Sequence, residues 1–208
     1  SKKVKFILTS SDTSGIPFLT SSFYDDVYDN NQWNFAVKVR PVSPLADRVE
    51  GSTESDPGSG GQPATNEDYV VEFYGISTIG NTITHEFSVS SSMDYTLATH
   101  FMTSSKRLYV GSHYTNFTSS DPLSTTDVRV LSNRIWLDDL TQKELRKHAY
   151  DIDNYGRHEP SRNAYLTISG ALGDVNIPRT KTLALNWDYT TVTTSDADGS
   201  FIVPDASS

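Results

Sequence analysis

Asn34-Phe35-Ala36-Val37-Lys38-Val39-Arg40 is the stretch that decides the fold class. Phe35, Val37 and Val39 point one way; Asn34, Lys38 and Arg40 point the other. That period of two belongs to a strand with one face buried. Pro41 and Pro44 end the run, because proline cannot donate to a sheet ladder. Farther along, Tyr69 to Ile76 alternates in the same way, with Tyr69, Val71 and Phe73 sharing a face. Gly80-Asn81 reads as a hairpin turn leading into a strand over Thr82 to Ser90. The intervening Glu50 to Asn66 is rich in Gly, Ser, Pro and acidic residues and reads as a long mobile loop.

Outward from this centre, more strands are expected. They cover Val4 to Leu8, Leu97 to Met102, Arg107 to Val110, Asp127 to Leu131, Arg134 to Leu137 and Ala164 to Ile168. Leu183, Leu185, Trp187 and Tyr189 share one face of a later strand, and Phe201-Ile202-Val203 is strand-like. A lone strand with such an apolar face must join or dock on a sheet, so these four residues are the expected interface. One helix is predicted near 141–150. Thr141 and Glu144 have the spacing of a capping box, Leu140 and Leu145 flank it, and Arg146, Lys147 and His148 suit the C-terminal end of the dipole. The prediction is therefore all-β with one short helix.

Composition agrees. The 208 residues include 28 Ser and 23 Thr, with 36% hydrophobic and 11% aromatic residues. A net charge of −9 disfavours nucleic acid as a partner, because an acidic surface repels phosphates. The absence of cysteine removes disulfides, thiolate–metal sites and thiol nucleophiles. No apolar run approaches the roughly 20 residues that span a bilayer, so membrane insertion is not expected. The chain starts at Ser1 and stops inside an unfinished pattern, and reads as a piece of a longer polypeptide.

Arg107-Leu108-Tyr109-Val110-Gly111, Asn116-Phe117-Thr118, Thr126-Asp127-Val128-Arg129-Val130, Arg134-Ile135-Trp136-Leu137, Glu144-Leu145-Arg146-Lys147-His148-Ala149 and Asn154-Tyr155-Gly156 together resemble the C-terminal half of a laminin-G-like, concanavalin A-like module. Trp33 to Val39 resembles an earlier strand of the same family. The resemblance spans residues 1–160 and implies a two-sheet antiparallel β-sandwich, a jelly roll. The expected organisation is a sandwich over 1–168, then a linker and C-terminal β-hairpin segment over 169–208, the start of a following module. Leu183 to Ser208 resembles linkers in large modular phage or virus structural proteins.

Concanavalin A-like glucanases set paired carboxylates on one strand. The nearest cluster is Glu67-Asp68 with Glu72, but an odd spacing turns Glu67 and Glu72 to opposite faces of a regular strand. There is no G-x-S-x-G elbow, and no two histidines have metal-ligand spacing. No catalytic residue is assigned. Calcium is the one cofactor with candidate ligands, since its hard oxygen donors cluster here. Asp25, Asp26 and Asp29 form one group; Asp196 and Asp198, with Asp205 farther on, form the other. The plainer reading of each group is a solvated acidic turn, although the laminin-G-like modules that the chain resembles often hold a calcium ion at the rim. His113, Tyr114, Asn116 and Phe117 form a candidate carbohydrate platform, the alternative being that Phe117 plugs the sandwich end.

The expected function is a non-enzymatic structural or adhesion module of a virion protein. Its partners would be other virion subunits, further modules of the same chain, or a cell-surface glycan. The alternatives are an extracellular, cell-surface lectin-like module dependent on calcium and, third, a glycoside hydrolase.

Overall fold

The structure, a computed structural model, describes residues 3–10, 15–28, 31–42, 69–104, 112–113, 124–125, 128–137, 139–151, 165–170, 173–178, 183–192, 197, 201–205 and 207. The protein is β-rich, with antiparallel pairing throughout its named strands and, among the described residues, two α-helices. It forms two compact units, Ser1–Lys106 and Arg107–Ser208.

The first unit is built on three long strands in spatial order β3-β4-β5: β3 (Trp33–Pro41), β4 (Tyr69–Ile79) and β5 (Thr82–Met93). The strands expected from Asn34, Tyr69 and Thr82 are therefore present. Ile79 pairs with Thr82 across Gly80-Asn81, so the loop has two residues. Gly80 takes φ +57, a positive φ at the first loop position that glycine adopts without strain. The β4–β5 register slips by one between Ser77 and Thr78, leaving Thr84 as an extra residue on β5. The Thr84 hydroxyl donates to the Ser77 carbonyl at 3.1 Å and holds this bulge.

Pairing places Trp33, Phe35, Val37 and Val39 on the same face as Ser77, Gly75, Phe73 and Val71, and as His85, Phe87 and Val89. Over this face lies the N-terminal segment, in which β1 (Ile7–Leu8) pairs with β2 (Leu19–Thr20) and Val4 bridges to Tyr24. Leu19, Tyr69, Val71, Phe73, Phe87, Met93 and Ala98 form the core, with Phe6, Leu8, Trp33 and Val39 packed against it. Gly75 is required here: a Cβ at this position would strike the Phe87 ring.

Two expectations change. Leu97 to Met102 is not a strand but lies in α1 (Tyr95–Thr103), so the described residues contain two α-helices rather than the one expected. Asp94 caps it, its carboxylate accepting from the Leu97 N–H at 2.9 Å, and Ala98 is fully buried. The alternating residues Phe35, Val37, Val39, Tyr69, Val71, Phe73, Val128 and Val130 were all expected to be buried between two sheets; Tyr69, Val71 and Phe73 are buried and Val39 and Val130 half-buried, but Phe35, Val37 and Val128 are 49%, 44% and 52% exposed. Phe35 and Val37 lie on β3, an outer strand of its sheet. Val128 to Leu131 precede the strand rather than form it.

The second unit contains β6 (Ser112–His113) paired with β7 (Ser124–Thr125), and β9 (Tyr165–Gly170) paired with β10 (Gly173–Pro178). In it β8 (Ser132–Trp136) also pairs with β11 (Leu183–Asp188), which a 3-10 turn over Tyr189–Thr191 follows. The predicted helix is α2 (Gln142–Tyr150) with its capping box formed: the Thr141 N–H donates to Glu144 Oε2 at 2.7 Å, and the Glu144 N–H donates to Thr141 Oγ1 at 3.3 Å. The strand expected over Arg107 to Val110 and the loop over Glu50 to Asn66 lie outside the described residues.

Candidate functional site

The face of the β3-β4-β5 sheet opposite the aromatic one carries the densest polar chemistry. Period two puts Asn34, Ala36, Lys38 and Arg40 of β3 there, beside Ile76, Tyr74, Glu72 and Val70 of β4 and Glu86, Ser88, Ser90 and Ser92 of β5. Lys38 stands opposite Glu72 in the register, and Lys38 Nζ lies 2.9 Å from Glu72 Oε2. The two side chains are 12% and 9% exposed, so water screens the pair little. Ser88 donates its hydroxyl to the other oxygen, Glu72 Oε1, at 2.6 Å. One step along the sheet, Tyr74 donates its phenol to Glu86 Oε1 at 2.6 Å.

This cluster pairs two carboxylates with an ammonium and two hydroxyls. Chemically it can fix charges in a wall. Glu72 is engaged on both oxygens, by Lys38 and Ser88, and Glu86 on one, by Tyr74, so these groups satisfy one another across the strands. Sequence alone singles out Glu72 but not its company. The period of two already set Lys38 and Glu72 on matching faces; the partnership of Glu86 with Tyr74 follows only once the Thr84 bulge is counted.

The acidic clusters are placed as follows. Asp25 and Asp26 are exposed, and the Asp26 backbone, at φ +57, accepts from Asn31 Nδ2 at 3.0 Å. Asp29, Asp196 and Asp198 lie outside the described residues. Among the described residues no three His, Cys, Asp or Glu side chains gather as a metal site. His113 belongs to β6. Tyr114, Asn116 and Phe117 lie outside the described residues.

Of the four C-terminal positions, Leu183, Leu185 and Trp187 pair with β8, and the Tyr189 N–H donates to the Leu131 carbonyl at 3.1 Å. Ala184 is an extra residue in the β8–β11 register, so alternation breaks after Leu183. Leu183 and Asn186 are buried, whereas Leu185, Trp187 and Tyr189 are half-buried. Arg134 Nε donates to Asn186 Oδ1 at 3.0 Å, and Asn133 Nδ2 to the Tyr189 hydroxyl at 3.1 Å. On the other edge of β11, Trp187 bridges to Asp205, whose Oδ1 accepts from the Asn186 N–H at 2.9 Å. That backbone bond, with two more from Ser207, holds the Asp205 carboxyl below its ordinary value against a smaller effect of burial. In the first unit, burial raises the Tyr24 phenol above its ordinary value.

Comparison with known protein families, with curated proteins and with solved structures finds no match to the chain.

Proposed function

We propose that the chain is a non-enzymatic structural or adhesion module of a phage or virus virion protein, whose surfaces contact neighbouring subunits or a cell-surface glycan. The observation that carries the non-enzymatic part is the mutual pairing of Lys38, Glu72 and Ser88 beside Tyr74 and Glu86. Charges so engaged serve cohesion of a sheet better than proton transfer. Large exposed aromatics on the first unit fit a contact-making role: Phe18, Phe23 and Tyr28 are 63%, 62% and 77% exposed. The virion setting rests on the resemblance of Leu183 to Ser208 to linkers of modular virion proteins. The finer architecture proposed is the two-sheet jelly roll that the laminin-G-like resemblance implies.

The test is a glycan array read beside a turnover assay on β-glucans, esters and peptides. The reading predicts no turnover. Activity that disappears in a folded Glu72→Gln variant would replace it with the hydrolase. Saturable, calcium-dependent sugar binding by a protein that stays outside particles would favour the lectin-like module, with Asp25, Asp26, Asp29, Asp196 and Asp198 as first ligands to substitute.

A further inference from the structure

Trp33, Ser77 and His85 form one row across the three strands, Trp33 paired with Ser77 and Ser77 with His85. Each carries a buried polar atom without a hydrogen-bond partner: Trp33 Nε1, Ser77 Oγ and His85 Nδ1. Ser77, in the middle, is completely buried. The indole and imidazole rings lie near-parallel on either side, with centroids 5.8 Å apart at 19°. Tyr24 closes over them edge-on, 5.4 Å from Trp33 and 5.3 Å from His85. Buried polar groups in folded proteins are almost always satisfied. Three orphans on directly paired residues of one face are a deficit concentrated in one place.

We propose that Trp33, Ser77 and His85 bind one internal water molecule within the aromatic cluster beneath Tyr24. The donor set selects the ligand. The indole N–H only donates, so it gives a metal ion no lone pair. An anion would be buried among Phe6, Tyr24 and Phe87, whose rings supply no charge to balance it. Water meets all three demands: its oxygen accepts from the Trp33 N–H, one of its protons goes to His85 Nδ1, and the Ser77 hydroxyl bonds it in either sense. Three partners is the usual number for a buried water. The imidazole then carries its own proton on Nε2. The Thr84 bulge makes the site, because without it His85 would face the other side of the sheet.

The test is the magnetisation transfer from water to the Trp33 indole N–H in the labelled, intact protein, with the resonance assigned from its own side-chain connectivities. A cross-peak with the sign of a long-lived bound water is expected. It should persist in Tyr24→Phe, which removes the phenolic hydroxyl above the cluster, and disappear in Ser77→Val, which removes one ligand and fills the space with methyls. No cross-peak in the parent, its loss in Tyr24→Phe, or its persistence in Ser77→Val overturns the proposal. Should a variant fail to fold, a high-resolution crystal structure of the parent decides: a bridging water supports the site, and an indole N–H bonded directly to a protein acceptor refutes it.

Discussion

Lys38 and Glu72 show how little of the sheet's polar face is left to solvent. Removing one member of a buried pair strands the other charge, which typically costs about 3–5 kcal/mol. Lys38→Met should therefore lower stability by about that much in chemical denaturation, and adding Glu72→Leu should recover most of the loss. Equal, additive losses in the two single variants would show the pair to be uncoupled. At Asp205 the sign runs with a depressed carboxyl. Its contribution is complete above the ordinary value of 3.8 and is lost as pH falls through the lower folded value. The Asn186 and Ser207 amide resonances should therefore move together in an acid titration with a midpoint below 3.8. In Asp205→Asn that shared step should be absent.

At the scale of elements, single residues set register and boundaries. Thr84 adds one residue to β5, and every side chain from His85 onward changes face relative to an unbroken hairpin. Without that bulge, Phe87 would oppose Tyr74, and Glu86 would oppose Gly75 in the aromatic core. Alternation in Asn34 to Arg40 and in Tyr69 to Ile76 was legible because no irregularity interrupts it. The bulge was not, since nothing in Thr82-Ile83-Thr84-His85 separates it from continuous strand. The two helices divide the same way. Thr141 and Glu144 announce α2, whereas Thr96, Thr99 and Thr103 give α1 a strand-like composition that hides the Asp94 cap. Thr141→Ala should cost about 1 kcal/mol in thermal melting by opening the capping box. Gly75→Ala should cost about 1–3 kcal/mol, because the new methyl forces the Phe87 ring aside; an unchanged melting temperature would mean that the ring does not sit over Gly75.

For the whole molecule, the β-rich class was readable from Ser, Thr and aromatic patterning, and the function was less so. The residues that group into the polar wall are far apart in sequence, Lys38 and Glu72 joined by strand pairing and Glu72 and Ser88 by a hairpin. A polar wall of this kind has no motif of its own, because its chemistry consists of residues satisfying one another. Its functional surfaces are then defined by what they touch. The central claim is that this chain is a component of a particle. The most direct measurement is quantitative mass spectrometry of purified particles and of the unassembled fraction from the same preparation. The account predicts peptides of this chain in a fixed ratio to the main particle proteins across preparations. Peptides confined to the unassembled fraction, or present in a ratio that varies freely with purification, would contradict it.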